Sequence, residues 1–211
     1  MAAGPGRGSL YATSRSSAVD ELTQLAVAAR RGDAQTMTAF IRAGQRQVWS
    51  LCAHLVDQES ADDLTQETYL RVFRALPAFR QESSARTWLL SIARRACMDE
   101  LRRRTRLRRQ ETLVLGLDGN EPATPGEAEQ VEIRELLDHL PIERRDAFVL
   151  TQILGLSYED AARTCDCPIG TIRSRVARAR VDLIEALGLM PAGDAQDSER
   201  AAARTPPRRT R

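Results

Sequence analysis

Apolar residues along this chain recur at helical spacing and never in the strict alternation of a half-buried strand. The clearest stripe is Met37, Phe40, Ile41, Val48, Leu51, Cys52 and Leu55, at i, i+3, i+4, i+11, i+14, i+15 and i+18. A shorter helix is predicted over 20–31, stopped by Gly32, with Asp33 placed to cap its successor. A third helix runs from after Ser60 to Leu76 and is ended by Pro77. Its core face reads Leu64, Tyr69, Val72, Phe73 and Leu76. Its opposite face shows Asp63, Gln66, Glu67, Leu70, Arg71 and Arg74. The loop PAFRQESSAR leads to a long helix predicted over 87–106.

Residues 116–126 then hold Gly116, Gly119, Pro122, Pro125 and Gly126, too many breakers for a helix to continue. Beyond them, helices are predicted over 127–140, stopped by Pro141, and over 143–154, stopped by Gly155. Ser157 caps a short helix, and Asp160 three residues on is placed to return the bond as a capping box. The turn Cys165-Asp166-Cys167 precedes Pro168, and a last helix runs over 168–187 to Gly188. The expected fold is all-α. Two small helical domains, 18–112 and 127–190, are joined by a flexible linker, 113–126. The unpatterned ends, 1–17 and 191–211, read as disordered tails, the second basic.

Two short helices joined by a tight turn, the second rich in Arg, make a helix-turn-helix pattern. On a wheel of about 100° per residue, Ile172, Val176, Ala179 and Leu183 share the core side. Gly170, Ser174, Ala177, Arg178 and Val181 lie opposite, with Arg173 and Arg180 on one flank and Arg175 on the other. Small outward residues permit close approach to a duplex, Arg can pair bidentately with guanine, and flanking Arg can hold phosphates. A solvated basic helix would carry the same Arg content, so charge alone does not separate the two.

Composition sharpens this picture only when sorted by segment. The 211 residues include 31 Arg and no Lys against 29 acids, a net of +2. A GC-rich genome accounts for the missing Lys, but not for where the Arg sit. Residues 94–109 carry eight Arg against Asp99 and Glu100, a net of +6; residues 111–146 net −7; residues 163–180 net +4. Two basic blocks on helical patterns favour a polyanion partner. The acidic stretch between them is expected to lie against the basic faces when no partner is bound. No apolar run approaches the ~18–20 residues of a membrane span, and the N-terminus lacks the apolar region of a secretory signal.

The motifs resemble a known family. LGLSYEDAARTCDCPIGTIRSRVARAR resembles region 4.2 of extracytoplasmic-function (ECF) sigma factors of the sigma-70 family. SADDLTQETYLRVFRALPAFR resembles region 2.2, and SSARTWLLSIARRACMDELRRR resembles regions 2.3 and 2.4, in the family's order and spacing. The resemblance implies a non-enzymatic initiation factor that binds core RNA polymerase, recognises the −35 and −10 elements of promoter DNA and promotes duplex opening. It implies core polymerase contacts at Asp62, Asp63, Gln66, Glu67, Leu70 and Arg71. The −10 element would be met by the loop 79–86 and by Trp88, Arg94, Arg95, Arg102, Arg103 and Arg104, with capture of unstacked bases. The −35 element would be met by Arg173, Ser174, Ala177 and Arg178, with Thr171, Arg175 and the helix start near Ser157 suited to phosphates. Relatives often carry Asn where Arg95 stands and a bulkier residue at the Ala177 position. Family members are commonly held by an anti-sigma factor, and the implied location is cytoplasmic, at the nucleoid.

The linker permits this geometry. About 16 residues, 113–128, extended at ~3.3–3.6 Å each, span roughly 50–55 Å, or about fifteen base pairs at ~3.4 Å. The alternative is a stand-alone helix-turn-helix regulator, which would leave the helix at 61–76 unused. Another is a thiol-controlled interaction module built on Cys165 and Cys167. A lone C-x-C is not a zinc spacing, and Cys52 lies on an apolar stripe. His54 and His139 have no ligand pattern around them, and no nucleophile–base pair or phosphate-cradling loop is present. No cofactor, metal or small-molecule substrate is therefore expected.

Overall fold

The computed structural model describes residues 21–115 and 134–188, and every element among them is helical. The expected tails and nearly all of the linker lie outside the described residues. Helix α1 (21–29) buries Leu22, Ala26 and Ala29 and ends at Gly32, whose φ of +82° suits glycine. Asp33 Oδ2 accepts from Thr36 N at 2.8 Å, capping α2, Ala34–Leu55. The expected stripe faces inward: Phe40, Val48, Leu51, Cys52 and Leu55 are fully buried, and Met37 and Ile41 pack at its margin.

Helix α3 (Ala61–Ala75) begins where Asp57 Oδ1 accepts from Ser60 N at 2.7 Å. Pro77 does not stop the chain at once. A 3₁₀ turn, Leu76–Ala78, carries it on, since Pro is tolerated early in a helix. Leu64, Tyr69, Val72 and Leu76 are buried as expected, but Phe73 is 39% exposed. Its position is marginal on the wheel, between buried Tyr69 and Val72 and exposed Leu70.

Helix α4 (Ala85–Leu115) is longer at both ends than predicted. Ser84 Oγ accepts from Thr87 N at 3.2 Å and starts the helix two residues early. With neither Gly nor Pro in residues 78–115, nothing stops it at 106. Helices α2, α3 and α4 pack mutually. Across this core the Cys52 and Cys97 sulfurs lie 3.6 Å apart as free thiols, and the Tyr69 hydroxyl donates to the Ile41 carbonyl at 3.2 Å.

The second half opens on α5 (134–138), then α6 (Ile142–Phe148), entered through Pro141. The straight helix expected over 143–154 instead widens into a π turn, Val149–Ile153. Leu154 N donates five residues back to Val149 O at 2.9 Å, and the Thr151 hydroxyl takes the Ala147 carbonyl at 2.7 Å. Helix α7 (Tyr158–Cys165) is capped by Ser157 Oγ, which accepts from Asp160 N at 3.0 Å. The return bond differs from a full capping box. Ser157 Oγ donates to Asp160 Oδ2 at 2.7 Å, so the carboxylate pairs with the hydroxyl rather than the amide. Asp is one methylene shorter than the usual Glu. Asp166, at φ +53°, makes the left-handed turn into α8, Ile169–Ala186. Helix α8 packs on α6 and α7, with Ile172, Val176 and Ala179 buried.

Candidate nucleic-acid interface

Helix α8 presents the face that the wheel predicts. Arg173, Ser174, Ala177, Arg178 and Val181 are exposed, while Thr171 and Arg175 are half-buried. Arg175 Nη1 approaches Cys167 Sγ at 4.0 Å. Arg180 donates to Gln152 Oε1 at 2.8 Å and braces α8 against the π turn. Among the described residues, Arg173 and Arg178 have no ion pair, so their guanidinium groups stand ready for an external anion.

The α4 arginines expected at the −10 element separate into four kinds. Arg95 is exposed and unpaired among the described residues. Arg102 and Arg103 are exposed but pair along the helix, Arg102 with Asp99 at 3.3 Å and Arg103 with Glu100 at 2.7 Å. Arg104 is structural in this arrangement. It binds Glu100 at 2.7 Å, Ser60 Oγ at 2.5 Å, and Asp57, tying α4 to the α2–α3 loop. Arg94 Nε donates to Asp146 Oδ2 at 2.5 Å, across to the second helical group. Burial opposes the Arg94 charge, but the carboxylate overcomes this and raises its pKa. Burial pushes the Asp146 carboxyl up, with Arg94 opposing. Trp88 is half-buried, its ring 4.9 Å from that of Phe79, so it packs within the core and offers only part of its surface. The loop between them turns at exposed Gln81, with φ of 59°, a left-handed residue that no glycine announces.

On α3, Asp62, Asp63, Gln66 and Leu70 are exposed; Glu67 and Arg71 are half-buried. Arg71 bridges Glu67 at 2.9 Å and Asp99 at 2.7 Å, and Asp62 Oδ1 accepts from Trp49 Nε1 at 2.9 Å. Leu70, at 50% exposure, and Phe73 are exposed apolar side chains on the same helix as these charges. Sequence reasoning placed Phe73 in the core; its i+3 spacing from outward Leu70 was the available signal.

At the helix start near Ser157 the exposed hydroxyl already pairs with the Asp160 carboxylate. Asp160 also accepts from Thr87 Oγ1 at 3.1 Å. Cys165 Sγ donates to Asp146 at 3.5 Å, and burial followed by that carboxylate pushes the thiol up, away from the thiolate of a reactive cysteine. No group of three or more potential metal-ligating side chains occurs among the described residues. No helix among them is long and apolar enough to cross a membrane.

Comparison with known proteins agrees with this geometry. The Sigma-70 region 2 family model matches residues 40–107 and the Sigma-70 region 4 model matches 130–183. The ECF RNA polymerase sigma factor SigC of Mycobacterium tuberculosis is 48% identical over 178 residues, covering 82% of this chain and 94% of SigC. The ECF RNA polymerase sigma-E factor of Haemophilus influenzae is 30% identical over 182 residues, covering 79% of this chain and 95% of its own. The sigma factor RpoE of Bartonella quintana, solved with the anti-sigma factor NepR, superposes with a TM-score of 0.62 at 29% identity, covering 73% of this chain and 98% of RpoE. The arginine-faced α8, the polar α3 rim and these matches in one order place the chain in the sigma-70 family, among the ECF RNA polymerase sigma factors.

Proposed function

We propose that residues 18–112 are the module that holds core polymerase and the −10 element, and that 127–190 are the module that reads the −35 element. The observation that carries the second assignment is the exposed α8 face, with Arg173 and Arg178 free of internal ion pairs among the described residues and small Ser174 and Ala177 between them. Arg178 and Arg173 reach base edges; Thr171 and Arg175, at the flank, hold phosphates. In the first module the polar rim of Asp62, Asp63, Gln66, Glu67 and Arg71 surrounds Leu70. An apolar centre within a charged rim suits a reversible protein contact with polymerase. Arg95, Arg102 and Arg103 are exposed α4 groups suited to the −10 backbone, with Trp88 offering a partial stacking surface. Arg94 contributes only when the two modules part, and Arg104 serves mainly as a structural tie.

On this reading the chain is an initiation factor rather than an enzyme and works in the cytoplasm at the nucleoid. The solved RpoE–NepR complex supports an anti-sigma factor as a further partner. Run-off transcription with core polymerase on genomic fragments tests the proposal. Initiation at defined start sites is expected only when the chain is present. Duplex binding without any initiation would instead favour the stand-alone regulator.

A further inference from the structure

Two of the four cysteines meet across the core of the first module. Cys52 lies near the end of α2 and Cys97 within α4, 45 positions apart, and both are fully buried. Cys97 Sγ donates to Cys52 Sγ at 3.6 Å, and both are free thiols. A disulfide holds its sulfurs at about 2.0 Å, so this pair needs to close by about 1.6 Å.

The helices are already set for that approach. A β-carbon on Gly44 of α2 would stand 2.6 Å from Leu89 Cδ2 of α4. Eight residues on from each of these stand Cys52 and Cys97. The two helices therefore run alongside in the same direction over about 12 Å, and a glycine brings them close at one end of that stretch. Short side chains at the other end come into direct contact. The remaining cysteines have other partners: Cys165 donates to Asp146 at 3.5 Å, and Cys167 faces Arg175 at 4.0 Å.

We propose that Cys52 and Cys97 form a redox modification site, closed to a disulfide by hydrogen peroxide. One sulfur, as thiolate, attacks a peroxide oxygen. The O–O bond breaks, leaving a sulfenic acid, and the departing hydroxide takes the thiol proton as water. The second sulfur then displaces hydroxide from the sulfenic sulfur, and that hydroxide leaves with the second thiol proton. Two S–H bonds and the O–O bond break, one S–S bond forms, and two electrons pass to the peroxide.

The closed core makes this slow. The hydrogen bond to Cys52, then burial, push the Cys97 thiol up, away from the reactive thiolate. Oxidation passes through openings that part α2 from α4. Once α2 and α4 close again, the same burial shields the bond from soluble thiols. The pair is thus a lasting mark of peroxide exposure rather than a fast switch. The bond ties α2 to the helix that carries Arg95, Arg102 and Arg103 and stabilises the first module. None of this depends on the sigma-factor reading.

Peptide mass mapping of the full chain, before and after hydrogen peroxide in native buffer, tests the site. A Cys52–Cys97 cross-linked peptide is expected, forming faster in sub-denaturing urea. The oxidised chain should melt about 10 °C above the reduced one. Cys52→Ala and Cys97→Ala should each abolish the cross-link and the rise, and Cys→Val at either position replaces an Ala variant that fails to fold. Replacing Cys165 and Cys167 together by Ser should leave both intact. Folded chain that yields no Cys52–Cys97 bond, or yields it only after complete unfolding, overturns the proposal and leaves two packing residues. A bond that lowers the melting temperature overturns its stabilising role. A rate indifferent to urea overturns the opening route.

Discussion

Gly44 and Leu89 meet with no room for a β-carbon between them: one placed on Gly44 would stand 2.6 Å from Leu89 Cδ2 and 3.0 Å from the Tyr69 hydroxyl. This contact sets how closely α2 approaches α3 and α4. Gly44→Ala should push both neighbours and cost about 1–3 kcal/mol, despite Ala being the better helix former. Urea unfolding checks this; an unchanged or raised midpoint would show that Leu89 can move aside cheaply.

Arg95 and Arg104 should behave oppositely. Arg104→Ala removes the tie to Asp57, Glu100 and Ser60 and should lower stability by about 1–3 kcal/mol. Arg95→Ala touches no described partner, so its melt should match wild type while promoter affinity falls. Paired melting curves and binding isotherms separate the two.

Removing one phosphate contact from α8 should flatten the salt dependence of duplex binding. Arg175→Ala is expected to lower the slope of log affinity against log salt by about 1 and to weaken all sequences alike. Arg178→Ala should instead relax preference at one base position, at a cost of about 1–3 kcal/mol. Titration against a panel of single-base duplex variants at several salt concentrations distinguishes the two.

Arg103, then Arg104, hold the Glu100 carboxyl down at about 2, against an ordinary 4.5. A depressed carboxylate stabilises the fold fully above 4.5 and loses that contribution as pH falls toward 2. The melting temperature of Glu100→Gln should therefore lie below wild type at pH 7, and the gap should narrow as the pH drops from 5 to 3. A gap constant with pH would assign the effect to packing rather than charge.

Much of the architecture was legible because helices announce themselves locally. Asp33, Gly32, Ser157 and Pro168 marked their boundaries, and the Ile172–Val176–Ala179 face followed from periodicity alone. What escaped was decided by contacts between distant segments or by backbone detail. Phe73 stands partly outward because no described helix fully covers its side of α3. The π turn depends on where Leu154 finds an acceptor. Arg104 was grouped with phosphate-binding arginines because its acceptors, Asp57 and Ser60, are more than forty positions away. The pairing of Arg94 with Asp146 joins residues 52 positions apart, one in a basic run and one in an acidic run. The charge pattern suggested an encounter between those runs but did not name the residues.

Helix α4 has one more consequence. At 31 residues it is about 46 Å long, yet the last fully buried residue among its described side chains is Cys97, and every side chain from Thr105 to Gln110 is exposed. Beyond Arg104, which still ties to Asp57 and Ser60, the helix stands out from the bundle as a cantilever. The C-terminal end of α4 is therefore carried by the first module, and its orientation moves with that body. A helical mast of this kind shortens the distance left to be bridged between the two modules, and the entropic cost of closing a connection grows with its length.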